Sequence, residues 1–372
     1  MEKKEVKILI TGSNGFIAKN LTIRLKRNKD HELMLANRST DEKELKRFAR
    51  SCDAVFHLAG VNRPEHEREF WDGNVGYTLK LLDFLKENQK QLRFIFASSI
   101  QAKLDNPYGR SKLAAEQELI RFAAQKKSKL TIFRLPNVFG KWCRPNYNSV
   151  VATFCYSVAR GMPIRVHDEN ACVELVYIDD VADEMIRSLE TEGADLYGQA
   201  APVYPIRVGE LAELIRSFHR QREDLLLPQT GDSFVKKLYS TWLSYLEKDN
   251  LKYPLVTHRD ERGSFTEFLR TDAAGQVSVN VIKPGIVKGN HWHHTKVEKF
   301  LVVRGTACIR FRHMQTGETA AYVVSGDRLE AVDIPAGYTH NIENIGDDDL
   351  VTVMWANETF DPDKPDTYYE EV

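Results

Sequence analysis

Two groups of side chains in this 372-residue chain have types and spacings suited to chemistry. The first is Tyr108-Gly-Arg-Ser-Lys112, which sets a phenol and an ammonium at i and i+4 on one face of a helix. Upstream, Ser98-Ser99 closes a strand that begins at Phe94. Hydride delivery to a ketone needs a proton for the developing alkoxide. A phenol supplies it when a nearby ammonium lowers its pKa and a hydroxyl helps hold the carbonyl. Alone, a Tyr-x-x-x-Lys pair reads equally as an exposed helix pair. It gains weight from what precedes it, Gly12-Ser-Asn14-Gly15-Phe16-Ile17-Ala18, a turn between a strand and a helix.

That turn has the makings of a dinucleotide site. Gly12 permits the tight turn, Gly15 lets backbone approach a pyrophosphate, and the helix N-terminus at Phe16 and Ile17 supplies N–H donors and a positive dipole end. Ala18 stands where a third glycine is usual. Twenty residues on, where an acid would hold ribose hydroxyls, the chain has Arg38, whose guanidinium can clasp a 2′-phosphate, so NADPH is expected over NADH. A solvated arginine after a strand is the plainer alternative. Leu58-Ala59-Gly60 ends a later strand, and its backbone is expected to border the cofactor.

The second group is Gly285-x5-His291-x-His293-x4-Glu298-x6-Gly305, followed by Pro335-x-Gly337-x2-His340-x3-Asn344. Residues i and i+2 of a strand share a face, so His291 and His293 converge, and Glu298 and His340 from neighbouring strands complete three imidazoles and a carboxylate. Zinc leads for such ligands, with nickel, manganese or iron as alternatives.

The elements that must position these groups follow from hydrophobic texture. Short apolar runs (Val6 to Thr11, Ala54 to Ala59, Phe94 to Ser98) alternate with helical patterns (Phe16 to Arg27, Leu79 to Lys86). This predicts an α/β Rossmann-like doubly wound parallel sheet. Between Asn37 and Ala54 only the helical stretch Asp41 to Arg50 fits, so the usual outer strand there is missing or very short. Two amphipathic segments, Val208 to Arg220 and Phe234 to Lys248, precede a change to period-two strands, such as Val277, Val279, Val281 and Ala307, Ile309, Phe311. The expected domains are therefore 1–249 and an all-β jelly-roll, 250–372.

The first region resembles the extended short-chain dehydrogenase/reductases that act on nucleotide sugars. The resemblance rests on Thr11-Gly12-x-x-Gly15-Phe-Ile, His57-Leu-Ala-Gly60, Asn74, Phe96-Ala-Ser-Ser99, Tyr108-x-x-x-Lys112, Arg134-Leu-Pro-Asn137-Val-Phe-Gly140 and Val176-Tyr-Ile-Asp-Asp180-Val. It implies Ser99 rather than Ser98 as the catalytic hydroxyl, Tyr108 as proton donor, Lys112 as its activator and a nicotinamide-ribose ligand, and Asn137 as a sugar-nucleotide contact. Val173 departs from the pattern, standing where many relatives carry an arginine.

The histidine motifs resemble those of cupins, although Gly326 lies nine residues before Pro335 instead of six. Asp260-Glu-Arg262-Gly263-Ser-Phe265-Thr-Glu267 and Lys288-Gly289-Asn-His291 are similar to segments of sugar-nucleotide 3,5-epimerases. That likeness implies nucleotide binding by Arg262 and Glu267, with Lys288 as a proton carrier. It also sets two roles for His291 against each other, base or metal ligand; the company of His293, Glu298 and His340 favours the ligand. A reductase joined to an epimerase-like cupin resembles bifunctional enzymes of bacterial capsular polysaccharide synthesis. The implied substrate is a UDP-linked 4-keto-6-deoxy-N-acetylhexosamine, epimerised at C3 and then reduced at C4 with NADPH, and a homodimer is implied too. Three alternatives stand beside this: a purely structural cupin, an NAD-retaining dehydratase or epimerase, and a non-catalytic binding protein.

Composition narrows the field. With 52 basic and 53 acidic residues the formal net charge is -1, which offers no broad attraction to nucleic acid or an anionic membrane. Five scattered cysteines form neither a disulfide framework nor a cysteine zinc site. The opening MEKKEVKILITG lacks a signal-like apolar stretch, so a cytoplasmic location is expected.

Overall fold

The computed structural model describes residues 5–191, 196–255, 257–260, 263–266, 276–358 and 363–372. Two compact units share the chain. One comprises Met1–Phe139, Asn146–Ser149 and Val173–Pro205; the other comprises Gly140–Pro145, Val150–Cys172 and Ile206–Val372.

In the first unit β1 (Val6–Thr11), α1 (Phe16–Leu25), β2 (His31–Ala36), α2 (Glu42–Ser51) and β3 (Ala54–His57) follow one another. Then come α3 (Arg68–Phe70), a π-helical turn Trp71–Gly76, α4 (Tyr77–Leu85), β4 (Arg93–Ser99), α5 (Pro107–Lys126), β5 (Lys129–Leu135) and β6 (Asn137–Phe139). The strands form a six-stranded parallel sheet in the order β2-β1-β3-β4-β5-β8, where β8 is Tyr197–Gly198. Between β2 and β3 there is only α2, so β2 is the sheet edge, as the sequence predicts. One core packs Leu9, Val55, Phe94 and Ile132 against α2, α4 and α5; the other packs Ile8, Ile10, Phe56 and Phe133 against α1 and α7 (Ile178–Glu190). Both faces are covered, which is why these strands read as unbroken apolar runs. Because the strands are parallel, the loops after β1, β2, β3 and β4 all leave at one edge, and the order reverses between β1 and β3. Ligands of such sheets bind at that reversal.

The second unit holds α6 (Val150–Val158), α8 (Val208–Glu223), α9 (Ser233–Leu243) and the strands from β10 (Lys252–Pro254) onward. The texture changes from helix to strand at Lys252, and the helices between Ile206 and Leu251 are compact with the strands that follow. Two five-stranded antiparallel sheets make a cupin-like barrel. The first runs β10-β18-β15-β20-β13, with β13 (Gln276–Ile282), β15 (Glu298–Arg304), β18 (Glu330–Ile334) and β20 (Leu350–Ala356). The second runs β17-β16-β19-β14-β21, with β14 (Val287–Trp292), β16 (Thr306–His313), β17 (Thr319–Ser325), β19 (Tyr338–Asn344) and β21 (Tyr368–Tyr369). Phe300, Val302, Ile309, Phe311, Val332 and Ile342 fill the space between them. On β13 Val277, Val279 and Val281 point outward, 56%, 66% and 49% exposed, while Ile282 is buried. The remaining strands are β7 (Cys172–Tyr177) and β9 (Val203–Arg207), in a small sheet with β6, and the hairpin β11 (Thr257–Asp260) and β12 (Gly263–Thr266). No described helix is long and apolar enough to cross a membrane.

Candidate active site and metal centre

The glycine turn has the form that a pyrophosphate needs. Gly12 adopts φ +67°, and a Cβ there would sit 2.7 Å from the backbone of Ala59, so β1 and β3 meet where only glycine fits. Gly15 is the N-cap of α1 and no side chain caps that helix. Asp41, Asn106 and Asp232, by contrast, cap α2, α5 and α9. The N–H groups at Phe16 and Ile17 are therefore left for an anion, with Asn14 exposed at the turn. Arg38 is exposed on the turn that follows β2. The residues present fit a dinucleotide.

A buried hydrogen-bond chain fixes the neighbouring loop Leu58-Ala59-Gly60. Ala59 N–H donates to Thr11 Oγ1 (3.3 Å), leaving the threonine hydroxyl to donate to His57 Nδ1 (2.7 Å). The Thr78 hydroxyl donates to the Asn74 carbonyl (2.6 Å), so it accepts from His57 Nε2–H at 2.8 Å. His57 is thus neutral and protonated on Nε2. Burial, with the field of Lys112, pushes its pKa down to about 3. Asn74 then accepts from Val61 N–H (2.8 Å) and donates to Ser111 Oγ (2.9 Å), tying the loop to α5.

At the end of β4 the two serines diverge. The Ser98 hydroxyl donates to Glu116, a fully buried carboxylate that also takes a forked pair from Arg134, Nε to Oε1 (3.0 Å) and Nη2 to Oε2 (2.6 Å). Ser99 faces the other way: its hydroxyl accepts from Gln101 N–H (3.2 Å), and it lies near enough to Tyr108 to act on the phenol's pKa. The structure therefore brings Ser99 and Tyr108 together, with Lys112 one turn along α5. The expected charge relation differs, however. Lys112 Nζ donates to the Ala97 carbonyl (2.7 Å), and burial raises the Tyr108 pKa despite the opposing effect of Ser99. A desolvated phenolate is costly, so the phenol stays protonated, which is the state a proton donor starts from. Burial lowers Lys112 to about 8, opposed by the charge of Glu116. Asn137 opens β6, exposed, and donates to the Glu174 carbonyl at 3.3 Å.

In the barrel, His291, His293, Glu298 and His340 converge, each offering a ligand atom, all within 4.8 Å of one another. His291 and His340 are cross-strand partners on β14 and β19, and a bulge at Gly289 re-aims β14 just before them. Burial and the two neighbouring imidazoles push His291 down to about 4, so it presents a lone pair at neutral pH. His293 Nδ1 lies against the Asp366 carbonyl, which can only accept, so Nδ1 carries a proton and Nε2 is the nitrogen turned to the cluster. His293 Nε2 lies 3.2 Å from Glu298 Oε2, and His340 Nε2 lies 3.1 Å from the same oxygen without hydrogen-bond alignment. Three imidazoles and a carboxylate converging in a largely buried pocket fit a cation. Lys288 stands apart from this set: it is exposed, and its Nζ donates to Asn280 Oδ1 (2.8 Å) and the Val281 carbonyl (3.1 Å). Arg262 and Glu267 lie outside the described residues.

Comparison with known proteins matches residues 8–199 to the NAD dependent epimerase/dehydratase family model and 258–368 to the polysaccharide biosynthesis C-terminal domain. The chain belongs to the NAD dependent epimerase/dehydratase family. It is 43% identical to a Pseudomonas aeruginosa protein named UDP-2-acetamido-2,6-beta-L-arabino-hexul-4-ose reductase, over 98% of both chains. The crystal structure of the capsular polysaccharide assembling protein CapF from Staphylococcus aureus matches at 50% identity, covering 99% of this chain and 100% of that one, with a TM-score of 0.68. A Thermotoga maritima UDP-glucose 4-epimerase, 23% identical over 58% of this chain and 83% of its own with a TM-score of 0.51, shares the fold of part of the chain.

This family member has further site residues that sequence reasoning passed over. Glu116 was findable as the next residue on the Tyr108–Lys112 helix face, four beyond Lys112. Asp366, 73 residues from His293, carries no local signal.

Proposed function

We propose that the chain is a two-step sugar-nucleotide enzyme, with residues 1–249 acting as NADPH-dependent reductase and 250–372 as epimerase. The cupin-like region inverts C3 of a UDP-4-keto-6-deoxy-N-acetylhexosamine, and the reductase converts the C4 ketone to an alcohol, on the way to UDP-N-acetyl-L-fucosamine for capsular polysaccharide. Epimerisation comes first, because the C4 ketone acidifies the C3 proton and reduction removes that acidity. The observation that carries this reading is the closeness of Ser99 to Tyr108, with Lys112 one turn on, beside an uncapped glycine turn. The full-length likeness to a UDP-sugar 4-ose reductase supports the same chemistry.

Bound NADPH supplies the hydride. Tyr108 gives its phenolic proton to the C4 oxygen as charge develops there, Ser99 hydrogen-bonds that oxygen, and the Lys112 ammonium stabilises the phenolate left behind. Gly12, Gly15 and the N–H groups that open α1 hold the pyrophosphate, Leu58, Ala59 and Gly60 border it, and Arg38 binds the 2′-phosphate. Asn137, Arg262 and Glu267 contact the sugar nucleotide, and Lys288 carries a proton in epimerisation. A divalent cation, zinc first, would be held by His291, His293, Glu298 and His340, supplying Lewis-acid charge or a cross-link between strands. Two copies pair, covering the exposed valines of edge strand β13. The enzyme works in the cytoplasm.

The test is incubation with the UDP-linked 4-keto sugar in heavy water, with and without NADPH, followed by mass spectrometry and NMR. Deuterium should enter at C3 without NADPH, and C4 should be reduced only with it. Reduction without C3 exchange would leave the cupin a structural module; turnover that consumes no NADPH would mark an NAD-retaining dehydratase or epimerase instead.

A further inference from the structure

The loop between β14 and β15 is held by a residue far along the chain. The Asp366 carboxylate accepts from the backbone N–H groups of His294 (2.9 Å), Thr295 (2.6 Å) and Lys296 (2.8 Å), and from the Thr295 hydroxyl (3.0 Å). The carbonyl of the same residue accepts from His293 Nδ1–H. Directly beyond it, Tyr368 and Tyr369 pair with Trp292 and His291 as β21, Glu370 N–H donates to the Asn290 carbonyl (2.8 Å), and Lys296 Nζ donates to Thr367 Oγ1 at 3.0 Å. Both strands joined by that loop bear members of the cluster, His291 on β14 and Glu298 on β15, and His293 sits in the loop itself.

We propose that Asp366 is a positioning residue for the cation site, and that the C-terminal segment is a strap which completes it. This rests on the cation reading above. A free imidazole interconverts between two tautomers and two ring orientations; the Asp366 carbonyl selects the one in which Nε2 points its lone pair at the other three ligands. The carboxylate does a second task by neutralising three converging N–H groups, so the loop cannot relax and carry His293 away. Backbone and side chain of one residue thus set both the protonation state and the position of a ligand.

The experiment compares the full chain with Asp366→Asn and Thr295→Val. Zn2+ affinity is measured by chelator competition, the visible ligand-field bands of the Co2+ forms report ligand geometry, and circular dichroism reports folding. Asp366→Asn should fold, bind Zn2+ about 10- to 100-fold more weakly and alter the Co2+ bands. Thr295→Val removes one of the four bonds to the carboxylate, so a weakening of about threefold with unchanged bands is expected. A folded Asp366→Asn protein with the affinity and spectrum of the unmodified chain would overturn the proposal. Should Asp366→Asn fail to fold, Thr295→Val decides, and unchanged affinity there overturns it equally. If the unmodified chain takes up neither ion, the cation reading falls and this inference with it.

Discussion

Around Tyr108 the buried polar groups each have their own partner, whereas around Glu298 three imidazoles crowd one carboxylate. Ser98 is matched by Glu116, Glu116 by Arg134, both nitrogens of His57 by threonines, and Lys112 by a carbonyl. In the barrel, His293 Nε2 and His340 Nε2 both reach the same Glu298 oxygen, at 3.2 and 3.1 Å. The contrast teaches what each place is built to receive. A pre-satisfied network holds a phenol and a hydroxyl still while substrate and coenzyme come and go. A cluster of imidazoles sharing one carboxylate is built to receive positive charge among them.

Each side of that comparison can be broken separately. Tyr108→Phe should lower kcat for C4 reduction by about 10²–10⁴-fold while leaving Zn2+ uptake and C3 deuterium exchange intact; equal loss of exchange would show that the two regions are not separate chemistries. Glu298→Gln removes a member of the cluster itself, so Zn2+ affinity should fall by more than the about 100-fold expected of an outer residue. Its NADPH affinity, read by fluorescence titration, should not move. For Arg38→Ala the expected change is about tenfold, a rise in KM for NADPH with KM for NADH unaltered, because one charge-assisted contact to the 2′-phosphate is lost; a parallel change for both coenzymes would remove the arginine from the site.

The smallest effect concerns pH. Lys112 is lowered to about 8 by burial, with Glu116 opposing the shift. A depressed ammonium is charged below that value and neutral above it, so kcat for reduction should decline as pH rises through about 8. Glu116→Gln withdraws the opposing charge, so the alkaline limb should move to lower pH, with a change of less than about tenfold at pH 7. Glu116→Asp, which keeps the charge, should restore the limb. A pH–rate profile that Glu116→Gln leaves in place would make Glu116 a partner of Ser98 and Arg134 only.

What the amino-acid order determined by itself was everything set by short covalent spacing. Phenol and ammonium four residues apart share a helix face, two histidines at i and i+2 share a strand face, and a glycine turn between strand and helix leaves N–H groups at the helix start. The absent outer strand was equally legible, since the stretch from Asn37 to Ala54 has room for α2 alone. Tertiary structure alone decided the rest. It turned Ser98 inward to Glu116 and left Ser99 to Tyr108, and it gave the Lys112 ammonium to a strand carbonyl. It set Val277, Val279 and Val281 toward solvent, because alternation marks two faces of a strand without saying which one meets the core. It also carried Asp366 across 73 residues to His293. Local geometry is a property of neighbouring peptide units. Burial, hydrogen-bond partners and pKa depend on groups from distant parts of the chain, and they come into being only when the sheets close.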